Sequence, residues 1–143
     1  MQRLFIISFL LFSCLYGFGQ LDTLCVPTID TLDGQKVYST AEKPAEFNGG
    51  QTSLFKFLTE NLHYPNIEAT FQGSIYSSFV VDTSGNIRNE CIAKKYSGNQ
   101  ISYIEKEVIE VIKKMPKWIP AEQSGKKVYM RIILPIKFQL KPE

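Results

Sequence analysis

Lys126-Lys127-Val128-Tyr129-Met130-Arg131-Ile132-Ile133-Leu134-Pro135-Ile136-Lys137-Phe138-Gln139-Leu140 is the stretch that decides the fold. Val128, Met130, Ile132, Leu134, Ile136, Phe138 and Leu140 share one parity, and Lys127, Tyr129, Arg131, Ile133, Pro135, Lys137 and Gln139 share the other. Alternation sustained over that length predicts a long strand with one face on a core. Pro135 has no N–H to give to a ladder, so the strand is expected at a sheet edge. Near Pro135 the backbone of Tyr129, Arg131, Ile133 and Lys137 should then face the open side. Such an edge is either guarded by Pro135, Arg131 and Lys137 against unwanted pairing or serves as a rail for a partner's strand.

Upstream of this strand, Ile104, Val108, Val111, Ile112 and Met115 recur at helical spacing, and Met115-Pro116 ends the helix. Trp118-Ile119-Pro120 is an apolar connector that leads through Gly125 into the strand. Further back, Ile75, Ser77, Phe79 and Val81 alternate with Tyr76, Ser78 and Val80, and Asp82-Thr83-Ser84-Gly85-Asn86 supplies turn residues. Ile87 to Lys95 returns as a second strand, which makes a hairpin. Ile87 and Ile92 differ in parity, so a bulge is expected between them. Before the hairpin, Asn48-Gly49-Gly50 breaks the chain and Thr52 or Ser53 can cap a helix carrying Leu54, Phe55, Leu58 and Leu62. Tyr64-Pro65 stops that helix. Gln20 to Phe47, with its Asp-Thr, Pro-Thr and Asp-Gly steps, reads as an extended leader in which Val37 and Tyr38 make a brief strand. The expected architecture is α+β, in the order α-β-β-α-β. Two helices cover one face of a three-stranded antiparallel sheet.

The first 19 residues stand apart. Met1 to Arg3 is weakly positive, Leu4 to Tyr16 is apolar, and Gly17-Phe18-Gly19 offers small residues for signal peptidase. The run falls short of the roughly 20 apolar residues that span a bilayer comfortably. Export to the periplasm with cleavage before Gln20 is the expectation. The alternatives are an uncleaved anchor over residues 4–16 and lipidation at Cys14, where Leu11-Phe12-Ser13-Cys14 loosely resembles a lipoprotein box. The division expected is residues 1–19 as signal peptide, 20–50 as leader and 51–143 as the domain. Cleavage leaves Cys25 and Cys91, an even pair that permits a disulfide in an exported chain.

Chemistry is sparse. At 143 residues and 44% apolar content the chain supports one ordinary core. Its 16 basic and 14 acidic residues give a net charge of +2, and the lysines are scattered, which does not favour nucleic acid. The one histidine, His63, has no serine, cysteine or acid at a helpful spacing, and one histidine with two separated cysteines is too few ligands for the usual metal site. Gly49-Gly50 is not followed by the lysine and helix start of a phosphate loop. No enzyme, cofactor or small-molecule substrate is expected.

Taken in order, Tyr64-Pro65, Gly73-Ser74-Ile75-Tyr76-Ser77-Ser78-Phe79-Val80-Val81-Asp82 running into Gly85, Met115-Pro116-Lys117-Trp118-Ile119-Pro120-Ala121, Gly125 and Leu134-Pro135-Ile136-Lys137-Phe138 resemble the carboxy-terminal domain of the TonB family. The resemblance covers about Asn61 to Leu140. Ala45-Glu46-Phe47-Asn48-Gly49-Gly50 is similar to the leader of stand-alone TonB-like proteins of Bacteroidetes. The resemblance implies that a peptide segment of an outer-membrane transporter pairs with the sheet edge, with a link to transmembrane transport. Carried onto this chain, it points to Tyr129, Arg131 and Ile133 on the edge and to Asn61, His63 and Tyr64 beside it. Pro135 should confine an added strand to about Lys127 to Ile133. Gln20 to Phe47 spans at most roughly 100 Å when stretched and lacks the proline content of a stiff spacer, so a full energy-transducing stroke is not expected. The alternative role is structural or assembly, with the same edge used for homodimerisation.

Overall fold

A computed structural model describes residues 29–63, 73–93 and 99–138. The segments expected to be a signal peptide (1–19), the Cys14 box, Cys25 and Tyr64 lie outside the described residues. The elements are β1 (Thr31–Leu32), β2 (Gln35–Tyr38), α1 (Gly50–Asn61), β3 (Gly73–Val81), β4 (Ile87–Ile92), α2 (Asn99–Lys113), β5 (Ala121–Gln123) and β6 (Lys126–Phe138).

The sheet runs β1-β2-β6-β3-β4, and β5 pairs with the start of β6. The expected three antiparallel strands are present as β4-β3-β6, but they are only part of a six-stranded sheet. The leader supplies β1 and β2 and the segment before β6 supplies β5; β2 lies parallel to β6, with Val37 opposite Tyr129 and Tyr38 opposite Met130. β6 is therefore flanked on both sides at Met130. Two short hairpins make this possible. Asp33-Gly34 (φ 52° and 75°) joins β1 to β2, and Ser124-Gly125 (φ 51° and 72°) joins β5 to β6. Left-handed angles at both central residues match the twist of the flanking strands.

β3 and β6 are in register from Gly73 opposite Phe138 to Val81 opposite Met130. The expected bulge in β4 is present. Register shifts between Ser78–Cys91 and Val80–Arg88, and Asn89 takes the left-handed angle (φ 50°) that absorbs the extra residue.

Odd positions of β3 and even positions of β6 build the core with the helices. Ile75, Phe79, Val81, Met130, Ile136 and Phe138 are buried against Ile104, Val108, Val111 and Ile112 of α2 and Leu58 of α1. Trp118, from the connector, packs edge-on to Phe79 at 5.2 Å and to Phe47 at 5.6 Å. Phe47 also meets Phe57. Here the expected stripe on α1 is corrected: Phe55 is exposed, and Phe57 takes the inward place because Phe47 offers it a ring. The cap differs too. Gly49, in a left-handed conformation, precedes the helix, and no side chain caps it.

The leader packs twice more. Lys43 and Glu46 exchange backbone hydrogen bonds with Glu122 and Ile119 (2.7 to 3.1 Å). On the sheet face away from the helices, Ile29 O accepts from Arg131 Nη2 at 3.4 Å, and Asp33 Oδ2 pairs with Arg88 Nη2 at 2.9 Å. The β1–β2 hairpin thus lies across that face, where Ser78 and Val80 are fully buried.

The β3–β4 turn is organised by one carboxylate. Asp82 Oδ1 accepts from the backbone N–H of Ser84 (2.8 Å) and of Asn86 (2.9 Å), and Oδ2 accepts from Asn86 Nδ2 (3.1 Å). Burial acts to raise this carboxyl's pKa, but the bonds from Asn86 and Ser84, together with the Arg88 charge, hold it below its ordinary 3.8. A depressed native value means stability that is present above the unfolded pKa and lost as pH falls through the native one. Asp82→Ala is expected to lower stability at pH 7 by about 1–3 kcal/mol. In urea titrations across pH, the gap to the unmodified chain should close below the ordinary carboxyl range. A gap unchanged at low pH would contradict the role given to the ionised form.

Candidate functional site: the outer edge of β6

Direction of the β6 backbone follows from two hydrogen bonds. Tyr76 O accepts from Ala93 N at 2.7 Å, so the Tyr76 backbone faces away from β6. In an antiparallel ladder directly opposed residues either face each other or both turn away. Pro135, opposite Tyr76, therefore turns its nitrogen to the outer side of β6. Ser77 Oγ donates to Leu134 O at 3.0 Å, which sets the even residues toward β3. The odd residues Tyr129, Arg131, Ile133 and Lys137 direct their backbone outward, as the position of Pro135 predicts.

The leader covers that outer side at Tyr129 and Met130, where β2 pairs with it. β5 pairs with residues 126–128 on the opposite side, the one that faces β3 farther along, because Glu122 turns its backbone to Lys43 and Lys127, opposite it, therefore also turns away from β5. Beyond Met130, no strand among the described residues lies against the outer side of β6. The rail expected over 127–133 is thus displaced toward the carboxyl end, because the leader occupies Tyr129. Ile133 and Lys137 keep outward N–H and C=O groups, Pro135 keeps its C=O, and Arg131 stands at the start of the open stretch. Beside it, on the face away from the helices and past the hairpin's cover, Ile133, Pro135 and Tyr76 are exposed. Ile133 is 55% exposed, which is unusual for an isoleucine inside a long strand.

The structure separates the expected site residues into two groups. Tyr129, Arg131 and Ile133 share one strand and one face. Tyr129 is half-buried and paired with the leader. Arg131 is buried, with Nη1 on Ser78 Oγ at 3.2 Å. Burial draws its guanidinium below the usual pKa, and the Asp30 carboxylate opposes that shift. Asn61 and His63 belong to the helix layer. Asn61 Nδ2 donates back to Phe57 O at 2.8 Å, while His63 N donates to Glu107 Oε1 on α2 at 3.3 Å. No hydrogen bond or ion pair among the described residues joins these two to β6. What sequence reasoning missed is the leader's position: that the strand at Val37 and Tyr38 pairs with β6 at Tyr129 and Met130, and that Ile29 meets Arg131.

Other chemistry is thin. No cluster of three histidine, cysteine or acidic residues suits a metal among the described residues, and no described helix is long and apolar enough to cross a membrane. A cavity of about 300 Å³ lies at the far side of the sheet, between the β3–β4 turn and the end of α2, lined by Gly85, Ile87, Glu90, Lys113, Pro116 and Lys117. It shares no residue with the β6 edge.

Comparison with known proteins gives one family. The model described as "Gram-negative bacterial TonB protein C-terminal" matches residues 60–140. The match runs from the end of α1 through β6 and leaves β1 and β2 outside it. Neither the curated proteins nor the solved structures match this chain.

Proposed function

Because the chain belongs to the TonB C-terminal family, we propose that it is a non-catalytic, TonB-like module linked to outer-membrane transport, which binds an extended peptide by strand addition. The partner is a periplasmic segment of an outer-membrane transporter. It pairs with β6 beyond Met130, through the outward groups of Ile133, Pro135 and Lys137, with Arg131 at the entry. The observation that carries this reading is the outward row from Ile133 to Lys137, against which no strand among the described residues lies, beside exposed Ile133, Pro135 and Tyr76. Main-chain bonds of this kind supply affinity, and side chains alternating along the edge supply selectivity. Pro135 costs the rail one N–H but leaves its carbonyl. Asn61, His63 and Tyr64 act as flanking contacts in the same proposal, and the chain works in the periplasm after residues 1–19 are removed.

Titrating transporter-derived peptides into the mature chain should shift the amide signals of Ile133 and Lys137. Tyr129, held by the leader, should move little. Ile133→Pro removes one outward N–H at a position no described strand uses, so folding should survive while peptide affinity falls about tenfold, the equivalent of about 1.4 kcal/mol. Undiminished affinity in that variant would place the binding site elsewhere. Light scattering separates the second role of this edge: a stable dimer that resists peptide would mean that β6 pairs with a second copy.

A further inference from the structure

Cys91 is disulfide-bonded, and the chain has two other cysteines, Cys14 and Cys25. We propose that its partner is Cys25, and that this bond fastens the leader across the sheet face away from the helices. The described residues around Cys91 support the pairing. Cys91 stands opposite Ser78 in the β3–β4 ladder, so the two side chains share that face. Ser78 Oγ accepts from Arg131 Nη1, and Arg131 Nη2 donates to Ile29 O. The leader's backbone therefore passes within one arginine side chain of the residue facing Cys91. Ile29 lies four positions after Cys25, a reach of at most about 14 Å. A second tether already holds the hairpin to β4, since Asp33 pairs with Arg88, three positions before Cys91. Cys14 lies within the apolar run at 4–16, which is removed if cleavage falls before Gln20.

Bond formation takes one proton from each thiol and two electrons from the pair. A disulfide-carrying oxidant protein of the export compartment accepts them by exchange. One cysteine thiolate attacks the oxidant's disulfide and expels one of its sulfurs as a thiolate. The other then attacks the mixed disulfide and expels the second. Once closed, the bond keeps β2 on Tyr129 and Met130, so that the leader stays on the outer side of β6 at those residues. The pairing itself does not depend on the transport reading, and its test uses no peptide.

The full chain, exported by a disulfide-competent bacterial host, should leave Cys91 unreactive to a maleimide until reduced. A non-reduced tryptic digest should link the Asn89–Lys94 fragment to one containing Cys25. Cys14→Ser should change neither result, whereas Cys25→Ser should make Cys91 reactive. Reducing the unmodified protein should speed hydrogen exchange at the Tyr38 and Tyr129 amides at least tenfold and leave Ile136 unchanged. A Cys91 that labels without reduction, that stays blocked in Cys25→Ser, or that links to a second chain would overturn the pairing. Exchange at Tyr129 that ignores reduction would overturn the fastening.

Discussion

Gly85→Ala should destabilise the protein by about 3 kcal/mol or more and lower its melting temperature by roughly 10 °C. Gly85 closes the β3–β4 turn at φ 82°, and a Cβ built there would clash with the backbone oxygen of Trp118. Two costs therefore add: the left-handed angle is unfavourable for alanine, and the obstacle is main chain that has no rotamer to escape into. The same two residues share a hydrogen bond, from Trp118 N to Gly85 O at 2.9 Å. Pushing the two strands of chain apart would break it and lift the connector from the turn. Trp118 is the chain's one tryptophan, so its fluorescence reports the event directly. Thermal melts followed at that emission are the check, and a melting temperature within about 2 °C of the unmodified chain would refute this account of the turn.

Phe79→Ala is expected to cost about 3–5 kcal/mol, the range for emptying a buried aromatic site. Phe79 is fully buried at the middle of β3, edge-on to Trp118, and directly opposite Ile132 of β6. Helix, connector and sheet meet at this ring, so collapse around the vacated space would need all three to move. Phe79→Leu, which keeps most of the volume, should lose less than half as much. Equal losses for the two variants in guanidinium titrations would show that the ring's volume is not what the site uses.

β6 was legible because a period of two leaves a local imprint, and the parity of Pro135 even told which way its outer groups face. The helical stripe of α2 was legible for the same reason. The strand at Val37 and Tyr38 was legible too, but its place in the sheet was not, since the pairing of β2 to β6 rests on four residues whose partner lies far along the chain, and no local pattern encodes a choice of partner. Arg131 misled for a related cause. An arginine alternating with apolar residues reads as an exposed guard, and only the leader folded over it makes it a buried donor to Ser78 and Ile29. Phe55 and Phe57 flank the same helical stripe, and periodicity could not choose between them without knowing where Phe47 sits. Ser77, a polar residue on the core face of β3, has its hydroxyl satisfied by Leu134 O. At the candidate site, the sequence located the strand and its outward row, whereas the extent of the opening was decided by the leader.

The order of strands also constrains when the molecule can fold. β6 is the last described strand to leave the ribosome, yet β2, β3 and β5 all pair with it, and without it β2 and β3 share no ladder. A nascent chain halted before Lys126 has the β1–β2 and β3–β4 hairpins but no ladder to join them. For the exported chain proposed above, this arrangement keeps the sheet from closing early, because its central strand arrives after every described segment that needs it.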